Sequence, residues 1–156
     1  MNFTDIAEGL TVVQVDVEDI DAAADLFTGY LDFYGRQATL DEAREFLRQR
    51  LTRKESIVLL ARRAGEWVGF TQVYPTFSSV SMAPVWVLND LFVRPDARRG
   101  GVGRTLLRAV VDQAAAAGAV RVTLDTAADN TSAQALYESE GFTTDHPVKY
   151  YLKRTR

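Results

Sequence analysis

The stretch Arg98-Arg99-Gly100-Gly101-Val102-Gly103-Arg104-Thr105 separates two very different patterns. Before it runs Val85-Trp86-Val87-Leu88-Asn89-Asp90-Leu91-Phe92-Val93, an apolar strand, followed by a Pro95-Asp96 turn. After it, apolar residues recur at Val102, Leu106, Leu107, Val110, Val111 and Ala114, the spacing of a helix with one buried face. A strand therefore enters a glycine-rich turn that opens a helix. The first turn of a helix has N–H groups with no intrahelical partner, and the macrodipole adds partial positive charge there. Glycines let the backbone approach a ligand closely, and Arg98, Arg99 and Arg104 add charge. The loop is an anion cradle suited to a pyrophosphate.

The rest of the chain predicts an α/β fold. Thr11–Val17 alternates apolar and polar residues and is a first strand. Ile20, Ala23, Ala24, Phe27 and Leu31 share a helical face, which Phe33-Tyr34-Gly35 ends. Thr39 and Glu42 form a capping box for a second helix with Phe46, Leu47 and Leu51 on its apolar side. Ser56–Arg62 and Trp67–Tyr74 form a hairpin, with Pro75 ending the second strand and Thr76–Ala83 a polar loop. Val120–Asp125 is another strand. Thr131 and Gln134 cap a further helix that Gly141 ends, and Phe142–Thr144 and Val148–Lys153 are late, short strands. The order is β-α-α-β-β-β-α-β-α-β-β, a mixed sheet with helices on both faces.

Length and charge narrow the partners. A chain of 156 residues with no linker is expected to be a single domain, 1–156. Eighteen basic residues against 21 acidic ones give a net charge of −3, so no global basic field points to nucleic acid. The chain has no cysteine, which excludes a thiol nucleophile and a thiolate metal site. One histidine, His146, cannot build a zinc site alone, and no metal is expected. No apolar run reaches membrane-spanning length, and Met1–Asp5 lacks a leader's basic and apolar regions, so a cytoplasmic protein is expected.

The loop can be tested against known phosphate cradles. A Walker A loop needs a lysine where Arg104 stands, and a Rossmann fingerprint would need a glycine at Leu106. The pattern that fits is R-x-x-G-x-G, from Arg98 through Gly101 to Gly103. It resembles the acetyl-coenzyme A loop of the GNAT superfamily of N-acetyltransferases. The resemblance continues through Val102–Ala117 and Val120–Asp125 to Asn130…Leu136-Tyr137…Gly141-Phe142, and so covers about the second half of the chain. Leu88-Asn89-Asp90-Leu91-Phe92 is similar to the corresponding strand of polyamine and other small-amine members, some of which carry Glu-Asp where this chain has Asn89-Asp90. The fold implied is a mixed, mostly antiparallel central sheet with helices on both faces and a splayed cofactor cleft.

Asn89-Asp90 is unusual on its own terms, because Asn and Asp are depleted in strands and a buried carboxylate is costly unless paired or used. Two readings stand: an Asp at a bulge bonded to local backbone, or a working carboxylate. The resemblance implies that Asp90, directly or through water, takes the proton of the acceptor amine. It further implies that Leu91, Phe92 and Val93 offer backbone groups to the pantetheine arm. Arg98, Arg99, Gly100, Gly101, Val102, Gly103, Arg104 and Thr105 would hold the pyrophosphate. Asn130 and Ala133 would contact the cofactor, and Asn130 also suits a helix cap. Tyr137, protonated at neutral pH, would bind there too and donate to the departing thiolate. Tyr30, Phe33, Tyr34, Tyr74 and Phe77 are candidates for an aromatic acceptor wall, which suits an alkylammonium; for any one of them core packing is the commoner role.

The function implied is acetyl transfer from acetyl-CoA to a primary amine in a ternary complex, the acceptor being a small amine or amino acid. A protein lysine or N-terminal acetyltransferase and a non-catalytic CoA-binding sensor are the alternatives. A homodimer is compatible with the family, and His146, Lys149 and Tyr150 read as structural or interface residues.

Overall fold

A computed structural model of the chain describes the backbone of residues 3–6, 9–144 and 147–156, and side chains from residue 9 onward. Residues 1–125 and 126–156 form two compact units. In the first, β1 (Phe3–Ile6), β2 (Leu10–Gln14), β3 (Ile57–Arg63), β4 (Glu66–Ser78), β5 (Ala83–Val93) and β6 (Val122–Thr123) form one sheet in the order β1-β2-β3-β4-β5-β6. Every neighbouring pair is antiparallel except β5–β6. Helices α1 (Ile20–Phe33) and α2 (Leu40–Thr52) connect β2 to β3, and α3 (Val102–Ala116) connects β5 to β6.

Local chemistry fixes several boundaries. The Thr39 hydroxyl accepts from the Glu42 amide at 3.1 Å while the Glu42 carboxylate accepts from the Thr39 amide at 2.8 Å, the reciprocal box expected for α2. The β3–β4 turn places Ala64 and Gly65 at φ +50° and +81°, the left-handed pair whose twist matches a tight hairpin.

Alternation along the strands separates two cores. Leu60, Phe70 and Phe92 point toward α1 and α2, where they pack with Ala23, Phe27 and Leu47. The Phe27 and Phe70 rings stack with centroids 5.6 Å apart. Their neighbours Ala61 and Gly69 face α3, so helices cover both faces of the sheet. A Cβ on Gly69 would lie 2.6 Å from Val102 Cγ1 and 2.9 Å from Leu106 Cδ1. Gly69→Ala is therefore expected to cost about 1–3 kcal/mol through overpacking. A denaturant midpoint equal to that of the parent would contradict this packing.

Five expectations need correction. Strand β1 was not foreseen; it returns on β2 with Ile6 opposite Leu10, through Gly9 at φ +72°. The first predicted strand stops at Gln14, not Val17. Strand β4 does not end at Pro75 but continues to Ser78. Its ladder with β3 stops at Val73, so Pro75 sits where β4 has become an edge and no ladder bond is lost. The predicted strands at 142–144 and 148–153 are absent: the described residues there form no ladder, and Val148, Tyr150, Tyr151 and Leu152 are exposed. Lys149 is exposed too. His146 lies outside the described residues. In the second unit, α4 (Thr131–Ser139) is capped by Asn130 rather than Thr131.

Candidate active site

The β4–β5 ladder pairs Gln72 with Asp90 and then Val73 with Leu88, leaving Asn89 as the extra residue of a bulge. The bulge lies within a long, otherwise regular hairpin. It keeps Asp90 on the face that also carries Phe92, toward α1, and makes the carboxylate's surroundings polar. The residue is 2% exposed. Gln72 Nε2 donates to Asp90 Oδ2 at 2.7 Å, and Asn89 Nδ2 donates to Oδ1 at 2.7 Å. The Tyr30 hydroxyl, from α1, lies close enough to the carboxylate to favour its charge and donates to the Asn89 carbonyl at 3.5 Å. Thr71 Oγ1 donates to the Asp90 carbonyl at 2.7 Å. Asp90 is thus at a bulge, but its carboxylate is held by side chains rather than by local backbone.

Burial dominates its electrostatics. Loss of water raises the Asp90 pKa, and the bonds from Gln72 and Asn89 and the nearby Tyr30 hydroxyl only partly oppose it. Burial and then the Asp90 charge raise the Tyr30 pKa, so its hydroxyl stays a donor at neutral pH. Tyr74 is pushed up to about 12 by burial first and Asp90 second, with the Arg50 cation opposing. The Tyr30 and Tyr34 rings are 4.9 Å apart, and Tyr34 meets Phe33 edge-on at 5.2 Å. The structure therefore brings Tyr30 and Tyr74 to Asp90, with Tyr34 against the outer side of the Tyr30 ring and Phe33 at the end of the ring chain. Phe77 does not join them: it is 79% exposed near the tip of the β4–β5 hairpin. Gln72, fully buried beside Asp90, was not foreseen; its strand T-Q-V-Y gave one signal, a polar amide in an otherwise buried run.

The glycine-rich loop follows β5 directly. Gly101 stands at φ +79° as the residue before α3, and no side chain caps the helix. The first helical bond runs from the Thr105 amide to the Gly101 carbonyl at 3.0 Å, so the Val102 and Gly103 amides have no intrahelical carbonyl to bond. Arg99 is also left-handed, at φ +65°. Arg98 Nε donates to the Val93 carbonyl at 3.1 Å, and its guanidinium lies 5.6 Å above the Phe33 ring. Arg63, at the end of β3, donates to the Gly100 carbonyl. A Cβ on Gly100 would sit 2.5 Å from Arg63 Nη1, so this glycine makes room for an anchoring arginine that motif reasoning missed. Arg104 and Thr105 lie in the first turn of α3, with Thr105 buried.

Strand β5 is paired with β6 only at Trp86–Val122 and Val87–Thr123. Beyond Val87, the edge of β5 that faces away from β4 has no strand partner among the described residues. Leu91 and Val93 lie on this stretch, and Phe92 turns its ring into the core, where a Cβ on Gly29 would meet it at 2.8 Å. In the second unit, Asn130 Oδ1 accepts from the Ala133 amide at 3.2 Å. Tyr137 sits on the last turn of α4, its ring 6.2 Å from that of Phe142. Gly141, at φ +88°, lets the Phe142 amide return to the Tyr137 carbonyl at 3.0 Å. Among the described residues, no helix is long and apolar enough to cross a membrane.

Comparison with known proteins identifies the family. The acetyltransferase (GNAT) family matches residues 21–142. An uncharacterized N-acetyltransferase, YhfO of Bacillus subtilis (strain 168), is 44% identical over 91% of this chain and 95% of its own length. An aminoglycoside N(6')-acetyltransferase type 1 of Stenotrophomonas maltophilia is 33% identical over 71% of this chain and 75% of its own. The crystal structure of a probable acetyltransferase superposes with a TM-score of 0.87 at 41% identity, covering 93% of this chain and 97% of that one. The chain belongs to the acetyltransferase (GNAT) family and is an N-acetyltransferase by class.

Proposed function

We propose that this enzyme transfers the acetyl group of acetyl-CoA to the primary amine of a small molecule by direct attack within a ternary complex. The observation that carries the reading is Asp90: a buried carboxylate on a bulge, raised in pKa and walled by tyrosines. Relatives named for aminoglycoside acetylation support a small-molecule amine as acceptor.

The residues present fit acetyl-CoA as co-substrate. The Val102 and Gly103 amides, the left-handed Gly101 and the surrounding arginines suit a pyrophosphate. The free edge of β5 after Val87 suits an extended amide-bearing arm, through backbone groups of Leu91, Phe92 and Val93. Bound there, the thioester supplies an activated acyl group.

The amine arrives mostly as ammonium, and Asp90, directly or through a water, removes the proton that would otherwise block attack. The nitrogen lone pair forms the new N–C bond as the thioester C–S bond breaks, and the nitrogen's second surplus proton passes to solvent, leaving the neutral amide. Tyr137 gives its proton to the departing sulfur, and solvent restores it. Tyr30, Tyr34 and Tyr74 pack against the alkyl part of the acceptor and attract its cationic form. Tyr137→Phe is expected to lower kcat about a hundredfold while leaving acetyl-CoA affinity unchanged by calorimetry. A kcat equal to that of the parent would remove Tyr137 from the mechanism.

A further inference from the structure

Gln72 carries an anomaly. Its side chain is fully buried, and Nε2 donates to Asp90 Oδ2, yet Oε1 has no hydrogen-bond partner. A buried carbonyl oxygen without a donor is costly, and such atoms in a folded protein call for an explanation. The explanation lies in what an amide can do beside a carboxylate that gains and loses a proton. Both oxygens of Asp90 already accept N–H bonds, from Gln72 and from Asn89. When Asp90 takes a proton, one of its neighbours must change from donor to acceptor.

We propose that Gln72 is a positioning residue that serves both protonation states of Asp90 by rotating its side-chain amide. With Asp90 ionised, Nε2 donates to Oδ2 as observed. After Asp90 has taken the amine's proton on Oδ2, a half-turn about Cγ–Cδ presents Oε1, and the new O–H donates to it. The amide leaves one polar atom unpartnered in each state, Oε1 in the first and Nε2 in the second. The two orientations are therefore closely matched, and the exchange costs little. A side chain that could only donate would favour the ionised form and weaken Asp90 as a base.

The inference rests on Asp90 as the base of the proposed reaction. The groups that face Asp90 or lie near it are Tyr30 on α1, with Tyr34 just past the helix end against its ring, Arg50 on α2 near Tyr74, and Tyr74, Gln72 and Asn89 on the strands. Of these, Tyr30 and Tyr74 are raised in pKa and stay neutral while Asp90 titrates. Asn89 is bound to the other oxygen.

The test is the side-chain amide of Gln72 in proton–nitrogen NMR spectra recorded across the acid range. The Gln72 Nε2 and its two protons should shift with a single midpoint, shared with the Asp90 carboxyl carbon, and the shift should vanish in Asp90→Asn. A Gln72 signal that does not move while Asp90 titrates would overturn the proposal. This readout needs no turnover, so it stands apart from the base assignment, which fails separately if Asp90→Asn keeps full activity. In Gln72→Met the acid limb of kcat/KM should move by less than about one pH unit, because a bond is lost from the ionised and the protonated carboxyl alike and the two losses nearly cancel. KM for acetyl-CoA should be unchanged. An acid limb raised by about two pH units, the full worth of a donor to a charged group, would show that Gln72 only donates and would overturn the proposal.

Discussion

Asp90→Asn is expected to lower kcat by about 10²- to 10⁴-fold, the range that a lost general base commands, and at the same time to raise thermal stability at neutral pH. The two effects have one cause. Burial raises the Asp90 pKa in the folded protein despite the bonds from Gln72 and Asn89. A carboxyl group whose folded pKa exceeds its unfolded one binds more protons in the native state. Stability is then highest below the unfolded pKa, falls as pH rises toward the folded pKa, and stays at the lower level above it. At neutral pH the ionised carboxylate destabilises the fold, and a neutral isostere removes that burden. A residue kept for packing would show the opposite: loss of stability on substitution. Steady-state kinetics and melting temperatures on the same preparations check both halves. Full activity in the variant would remove Asp90 as base, and a lower melting temperature would overturn the account of its burial.

Gly101→Glu is expected to abolish acetyl-CoA binding while leaving the protein folded. Gly101 is exposed and at φ +79°, where a side chain is strained by about 1 kcal/mol, so the fold tolerates the change. The new carboxylate would stand at the N-terminus of α3, where the amides of Val102 and Gly103 await an anion. It would satisfy those amides itself and repel a pyrophosphate. Isothermal titration with acetyl-CoA should give no heat at concentrations that saturate the parent. Circular dichroism guards against global unfolding. Binding of acetyl-CoA with parental affinity would sink the loop assignment.

Signals confined to short windows were legible in the sequence. The capping box at Thr39, the period of α3 and the glycine-rich loop between β5 and α3 each depend on residues within a few positions of one another. The depletion of Asp in strands marked Asp90, and the bulge explains how the strand accommodates it. What escaped depends on partners distant in sequence. Pro75 reads as a strand end until the ladder shows that β4 is an edge there. Gly100 reads as part of a phosphate motif, whereas its missing Cβ also admits Arg63, 37 residues away. Gln72 gave a faint signal, since nothing local says that its amide meets Asp90 across the ladder. Strands predicted at 142–144 and 148–153 failed because apolar residues in a short run do not by themselves supply a ladder partner.

The central claim is acetyl transfer to a small primary amine with Asp90 as base. It is tested most directly by thiol release from acetyl-CoA with a panel of amines: spermidine, diamines, an aminoglycoside, amino acids and a lysine peptide. The parent and Asp90→Asn are run side by side. The account predicts amine-dependent thiol release by the parent on a small-molecule member of the panel, falling at least a hundredfold in the variant. Acetyl-CoA binding with no amine-dependent release across the panel, release confined to the lysine peptide, or equal release by the variant would contradict it.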